Sequence, residues 1–209
     1  MNERAVLADG ARALGLDLSS KQIDQLLQLL DELERWNRAY NLTSIDGRAE
    51  RITHHLLDSL SLQAHLSGTK VADVGTGAGF PGLPLAIANP ERRFTLIDSN
   101  NKKVRFVGHA TRTLGLANVT ATHERVESMK LAEPFDNVVA RAFAPLPQLL
   151  EKVAPLCGPG TQVLAMKAKN AHEEARGVSA RWVVQEIRPL VVPGLNEERY
   201  VVVAKLAQT

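Results

Sequence analysis

The chain is 209 residues long, which suits one domain, or one domain with an appendage. Apolar residues make up 44 %, enough for a sizeable core, but no run of about 18 apolar residues exists to span a membrane, and Met1-Asn-Glu-Arg4 opens no secretory leader. A single cysteine, Cys157, excludes an internal disulfide, and a net charge of +2 leaves only a modest basic excess in residues 67–209, compatible with a polyanionic partner; a cytoplasmic protein is expected.

Residues 1–18 predict a short helix ending near Gly15. Ser19 or Ser20 then caps a long helix in which Ile23, Leu26, Leu27, Leu30, Leu33 and Trp36 recur at helical spacing. Asn41 to Gly47 is turn-rich, and a third helix is predicted over 50–66. Residues 1–66 therefore read as an N-terminal helical extension of a main domain over 67–209. Within the extension Arg35, Arg38, Arg48 and Arg51, with His54 and His55, interleave with Trp36 and Tyr40. That mixture suits single-stranded or loop RNA, whose bases stack on aromatic rings and whose phosphates pair with cations. A solvated helix face with Trp36 in the core would read the same. His54 and His55 are adjacent and point apart on a helix, and no spacing in the chain suggests a metal site.

The stretch Val71 to Ile87 organises the rest. Val71 to Val74 is a short apolar strand interrupted by Asp73, and the chain then breaks into Gly75, Gly77, Gly79 and Gly82 before an apolar helix. Strand, glycine loop and helix form the first unit of a nucleoside-binding α/β domain, in which glycine lets a ligand approach main-chain N–H groups. Gly77, Gly79 and Gly82 satisfy the dinucleotide fingerprint, so NAD is one candidate ligand. Asp73 at the strand end favours S-adenosylmethionine (SAM), whose ammonium and sulfonium are cationic, whereas it would repel a pyrophosphate. A glycine turn without a ligand is the bland alternative.

Strand two, 93–97, ends in Asp98, about 20 residues past the loop, where an acid hydrogen-bonds ribose hydroxyls. Asp98 could equally cap the next helix, over 101–114. Alternation then continues with strand three at 119–122, strand four at 135–140, a helix at about 147–154, strand five at 161–166 and a polar helix at about 170–179. Two β-rich runs, 182–192 and 199–205, read as a closing antiparallel pair. The expected fold is α/β: a Rossmann-like, mostly parallel sheet with an antiparallel C-terminal strand and helices on both faces. An NAD(P)-dependent oxidoreductase would ordinarily repeat the three-strand half and add a substrate domain, for which no chain remains.

Several motifs together resemble one family, the bacterial small-subunit rRNA methyltransferases called RsmG or glucose-inhibited division protein B. They are Trp36-Asn37, Tyr40-Asn-Leu-Thr-Ser44, His55 with Leu57-Asp-Ser59, Asp73-Val-Gly-Thr-Gly77 with Gly79-Phe-Pro-Gly82, Leu96-Ile-Asp-Ser99 with Lys103-Val-Arg-Phe106, Arg125-Val-Glu127 and Arg141-Ala-Phe143. The resemblance implies SAM-dependent methylation of N7 of one guanine in 16S rRNA of the small ribosomal subunit. It also implies SAM contacts at Gly75, Phe80, the Val126–Glu127 backbone and Arg141. Two positions depart from the family pattern: Lys167 is followed by Ala168 where glycine is common, and His54 stands where arginine often precedes the family histidine.

Arg141, at the tip of strand four, is the strongest single candidate for positioning the reaction. Its fork can hold the carboxylate of SAM or a guanine edge, or form a salt bridge to Asp136 or a neighbouring carboxylate. N7 carries a lone pair and no proton, so no general base is expected. Cys157 lies past the next helix in a Gly/Pro turn and reads as structural, not as a nucleophile. Lys167 and Lys169, at the tip of strand five, are candidate phosphate contacts or solvated lysines. A non-catalytic rRNA-binding assembly protein remains a separate reading. No exposed leucine seam suggests a dimer, so a single copy is expected.

Overall fold

The computed structural model describes residues 2–130 and 132–207; Met1, at the start of the first predicted helix, lies outside them. Helix α1 spans Glu3–Ala13 and α2 spans Ser20–Tyr40. Ser19 caps α2 as the spacing predicts: its hydroxyl accepts from Gln22 N, and the Gln22 side chain accepts from Ser19 N. Gln22 Nε2 also donates to the carbonyls of Ile87 and Ala88, tying the start of α2 to the end of a sheet-packed helix.

The predicted third helix is not one regular helix. It comprises α3 (Arg48–Arg51), a π-helical turn (Ile52–Leu57) and α4 (Asp58–Leu60), with a 3₁₀ turn after it at Gln63–His65. A π-turn adds a residue to the helical repeat and rotates the residues beyond it, a distortion frequent at functional sites. Apolar periodicity alone does not report it.

The chain then alternates β1 (Lys70–Val74), α5 (Gly82–Ala88), β2 (Arg93–Asp98), α6 (Asn101–Thr113), β3 (Val119–His123), β4 (Asn137–Arg141), α7 (Leu146–Val153), β5 (Gln162–Lys167), α8 (Ala171–Arg176), β6 (Trp182–Pro189) and β7 (Tyr200–Leu206). The strands form one sheet in the order β3-β2-β1-β4-β5-β7-β6. β7 runs antiparallel to both neighbours and inserts between β5 and β6. Strand order reverses between β1 and β4, which places the ligand crevice at their C-terminal ends.

Strand alternation divides the core. Val71, Phe94, Leu96, Val139, Leu164, Val201 and Val203 face one side. Ala72, Val74, Ile97, Val138, Val163, Ala165 and Val202 face the other, against α7. The first side also receives Leu7 from α1 and Ile23, Leu26, Leu29, Leu30 and Leu33 from α2, so the helices of residues 1–66 share a single apolar cluster with the sheet. Burying each such leucine contributes about 2 kcal/mol.

Candidate active site at the β1 and β4 tips

Asp73 is fully buried, and its Oδ2 accepts from Thr76 Oγ1 at 2.6 Å and from Gly82 N at 2.8 Å. Burial pushes its carboxyl up to about 6 against the lowering effect of these two hydrogen bonds. Oδ2 is turned into the loop and holds the glycine turn closed, while Oδ1 is buried with no hydrogen-bond partner among the described residues. Gly75 and Gly77 adopt φ of 66° and 60°, where a side chain is strained. A Cβ on Gly75 would lie 2.2 Å from the Phe143 ring, whereas one on Gly77 would meet nothing nearer than Gly75 O at 4.0 Å. Gly77 is thus the loop position whose outer face is open. Gly79 is buried and donates its N–H to Thr76 O.

Asp98 holds the other side of the turn. Oδ2 accepts from Gly77 N at 2.9 Å and Oδ1 from Asn100 N at 2.8 Å. The helix cap itself is Asn100, whose side chain accepts from Lys102 N. An ionised carboxylate has about four acceptor sites, so Asp98 retains capacity for a ligand's hydroxyls.

A cavity of about 390 Å³ opens beside this loop, walled by Val74, Ile97, Val126 and Phe143, with Asp98, Ser99, Lys103 and Glu127 around it. Glu127 is exposed and pairs with Lys152 Nζ at 2.9 Å, the hydrogen bond that chiefly holds its carboxyl below the usual range. A second cavity of about 700 Å³ is lined by His54, His55, Asp58, Arg141, Lys167 and Arg199, among others. Both cavities are lined by Ala142 and Phe143, so they adjoin there. Ala142 has φ of 51°, a strained conformation for alanine that turns the chain sharply after β4.

Arg141 connects the sheet to the π-turn and α4. Its Nη1 donates to Asp58 Oδ2 and to His54 O, both at 2.8 Å. Asp136 is not its partner; that carboxylate accepts from Thr69 N and Lys70 N at the start of β1. Asp58 is buried and also lies 3.4 Å from Arg199 Nε, so one carboxylate faces two guanidiniums. The Leu57-Asp-Ser59 motif marks Asp58 in the sequence, and its meeting with Arg141 and Arg199 is a tertiary contact.

His55, a candidate RNA contact, lies in the wall of the larger cavity. It is 6 % exposed, stacks on Phe80 at 4.5 Å between ring centroids, and lies 2.9 Å from Thr43 Oγ1 through Nε2. Burial, reinforced by the Arg141 charge, lowers its pKa to about 3, so the ring is neutral. Arg141 Nη2 lies 3.5 Å from Nδ1 and can only donate; Nε2 therefore carries the proton and Thr43 accepts it. Phe80 itself is 4 % exposed, beneath His55, with the Arg141 guanidinium 5.6 Å from its ring centre.

Three more candidate phosphate contacts have partners within the chain. Arg51 is buried and donates to Ile45 O. Arg48 pairs with Glu3 and Asp31 and donates to Leu27 O, joining α1, α2 and α3. Lys167 Nζ donates to Ala144 O at 2.6 Å and pairs with Glu174 at 2.7 Å. Arg35, Arg38 and Lys169 stand exposed. Cys157 has its thiol pushed up to about 12 by burial and donates to Val153 O. Trp36 is half-buried against Phe106 and His109.

Comparison with known proteins agrees with this arrangement. A family model described as rRNA small subunit methyltransferase G matches residues 22–202. The chain is 47 % identical to the ribosomal RNA small subunit methyltransferase G of Methylococcus capsulatus, over 93 % of this chain and 95 % of that one. It is 40 % identical to the protein of the same name from Xanthomonas euvesicatoria, over 98 % and 99 %. Among solved structures it is similar in fold to a SAM-dependent methyltransferase from Aquifex aeolicus, at 18 % identity and a TM-score of 0.57, over 80 % of this chain and 97 % of that one. Coclaurine N-methyltransferase bound to N-methylheliamine and SAH is similar at 12 % identity and a TM-score of 0.56, over 97 % and 93 %. The dinucleotide reading of the glycine loop gives way to these matches. The chain belongs to the rRNA small subunit methyltransferase G family of SAM-dependent enzymes.

Proposed function

We propose that the chain methylates N7 of one guanine in 16S rRNA, acting as a single cytoplasmic copy on the rRNA or the small ribosomal particle. The observation that carries this reading is the meeting of the two cavities at Ala142 and Phe143. The smaller cavity suits the nucleoside part of SAM: Asp98 accepts from ribose hydroxyls, Ile97, Val126 and Phe143 sandwich a base, and Glu127 and the Val126 backbone meet its polar edge. The open outer face of Gly77 leaves room for the rest of the cofactor. SAM, when bound, supplies an electrophilic methyl group on a cationic sulfur.

The chain's own residues then have to hold the guanine. The larger cavity receives it, with Arg141 and Arg199 as donors toward O6. Nη1 of Arg141 is committed to Asp58 and His54 O, which fixes the plane of the guanidinium and leaves its other edge for the base. N7 needs no deprotonation, so the neutral His55 can serve as a wall of the site without acting as a base. Orientation alone can contribute roughly 7–11 kcal/mol to such a transfer. Lys169, Arg35 and Arg38 are exposed cations suited to flanking phosphates.

The test is incubation of the purified chain with methyl-labelled SAM and small-subunit rRNA or particles. Label in the RNA is expected. SAM binding and RNA binding with no label transferred to either substrate would leave an assembly protein as the better account.

A further inference from the structure

Helix α6 carries Lys102, Lys103, Arg105, His109 and Arg112 and no acidic residue in its 13 positions. Lys102, Arg105, His109 and Arg112 recur at helical spacing and so share one face, on which Lys102, Arg105 and Arg112 are exposed. A charged outer face is ordinarily a solvated one, but here the countercharges are missing. The neighbouring helix α2 has four acids, and each is already engaged: Asp24 with Arg4, Asp31 with Arg48, Glu32 with Arg35 and His109, and Glu34 with Arg38. Lys102, Arg105 and Arg112 make no ion pair among the described residues.

The two helices pack antiparallel. Gln25 Nε2 donates to Leu114 O at 2.8 Å, Glu32 bonds His109 at 2.8 Å, and Trp36 lies 5.6 Å from Phe106. The end of α2, with Arg38 and a Tyr40 that is 39 % exposed, is therefore carried toward the start of α6. Lys103, in the first turn of α6, lines the smaller cavity. The basic face accordingly leads along the α2–α6 pair to the mouth of the active site.

We infer that this face, formed by Lys102, Arg105 and Arg112, is a phosphate track for the rRNA backbone flanking the target nucleotide. The inference rests on the proposed rRNA substrate. Phosphate contacts of this kind position RNA without reading its sequence, and each one steepens the dependence of affinity on salt.

The experiment compares the wild type with a Lys102→Ala, Arg105→Ala, Arg112→Ala variant, leaving Lys103 intact. Affinity for small-subunit rRNA is measured between about 50 and 200 mM salt, and SAM affinity is measured calorimetrically alongside. Losing three contacts should flatten the slope so that the variant loses about 20- to 40-fold less affinity than the wild type over that range, with SAM affinity unchanged. An unchanged slope would overturn the proposal and return α6 to a solvated face. Weakened binding to the assembled particle with stripped rRNA bound normally would also overturn it, in favour of a ribosomal protein as the partner. A wild type that shows the expected slope difference but transfers no methyl would support the track while refuting the proposed reaction.

Discussion

Asp58 Oδ2 accepts from Arg141 Nη1 at 2.8 Å, so the tip of β4 and helix α4 are locked together by an ion pair whose acid is 3 % exposed. Asp58→Ala would leave Arg141 and Arg199 largely buried and without their shared carboxylate. Breaking such a pair costs about 3 kcal/mol, or a fall in melting temperature of roughly 6–12 °C for a chain of this size. Urea unfolding followed by circular dichroism checks this. A midpoint equal to wild type would mean that solvent or a nearby acid replaces Asp58.

Arg141→Lys retains the charge and one link to Asp58 or His54 O, so the chain should remain folded. It loses the planar fork, and with it at least one charge-assisted hydrogen bond, worth about 1.5–3 kcal/mol. Turnover should fall about 10- to 100-fold with SAM affinity little changed, since Arg141 lines the larger cavity and not the smaller. A parallel loss of SAM affinity would assign Arg141 to the cofactor, and near-full turnover would show that only charge matters there.

Gly75 and Gly77 should respond differently to alanine. Gly77→Ala adds a methyl group to open space and costs about 1 kcal/mol of backbone strain, so the fold persists while SAM affinity falls. Gly75→Ala pushes a methyl group into the Phe143 ring and should displace the wall shared by both cavities. Calorimetric SAM titration together with thermal denaturation separates the two. Normal SAM affinity in folded Gly77→Ala would make the loop a turn only.

The pH dependence of stability should carry the signature of His55. Its folded pKa, about 3, lies below the ordinary 6.5, so the unfolded chain takes up a proton first as pH falls. Stability from the neutral ring is therefore complete above about pH 6.5 and is lost toward pH 3, at up to about 1.4 kcal/mol per pH unit. Between about pH 7.5 and about pH 5.5 the wild type should lose about 1–1.5 kcal/mol more than His55→Gln, which keeps a donor for Thr43. Asp73, shifted the opposite way, is present in both proteins and cancels. Equal losses in urea midpoint would mean that His55 protonates freely in the folded chain.

Arg51→Ala should destabilise the chain by about 1–3 kcal/mol, through the unsatisfied Ile45 carbonyl. It should leave the salt dependence of rRNA binding as in wild type. A flattened slope would restore Arg51 as a phosphate contact.

The sheet was legible because its signals are local. Val71 to Val74, the glycine run and Asp98 report a strand, a turn and the next strand tip without reference to distant residues. Strand position does not reveal that Asp73 Oδ2 points back at Thr76 and Gly82. Arg48, Arg51, His55 and Lys167 read as surface groups because their partners, Glu3, Ile45 O, Phe80 and Glu174, are settled only by tertiary packing. Apolar spacing does not report the π-turn at 52–57, and the approach of Asp58 to Arg141 joins residues 83 apart in the chain.

The most direct measurement is chemical mapping of N7-methylguanine in small-subunit rRNA after incubation with the wild-type chain and SAM, using borohydride reduction and aniline cleavage. Cleavage is predicted at one guanine, dependent on SAM and greatly reduced with Arg141→Lys. Methyl label found on an exocyclic amine or a pyrimidine carbon, with no N7 cleavage, would contradict guanine-N7 transfer by this site.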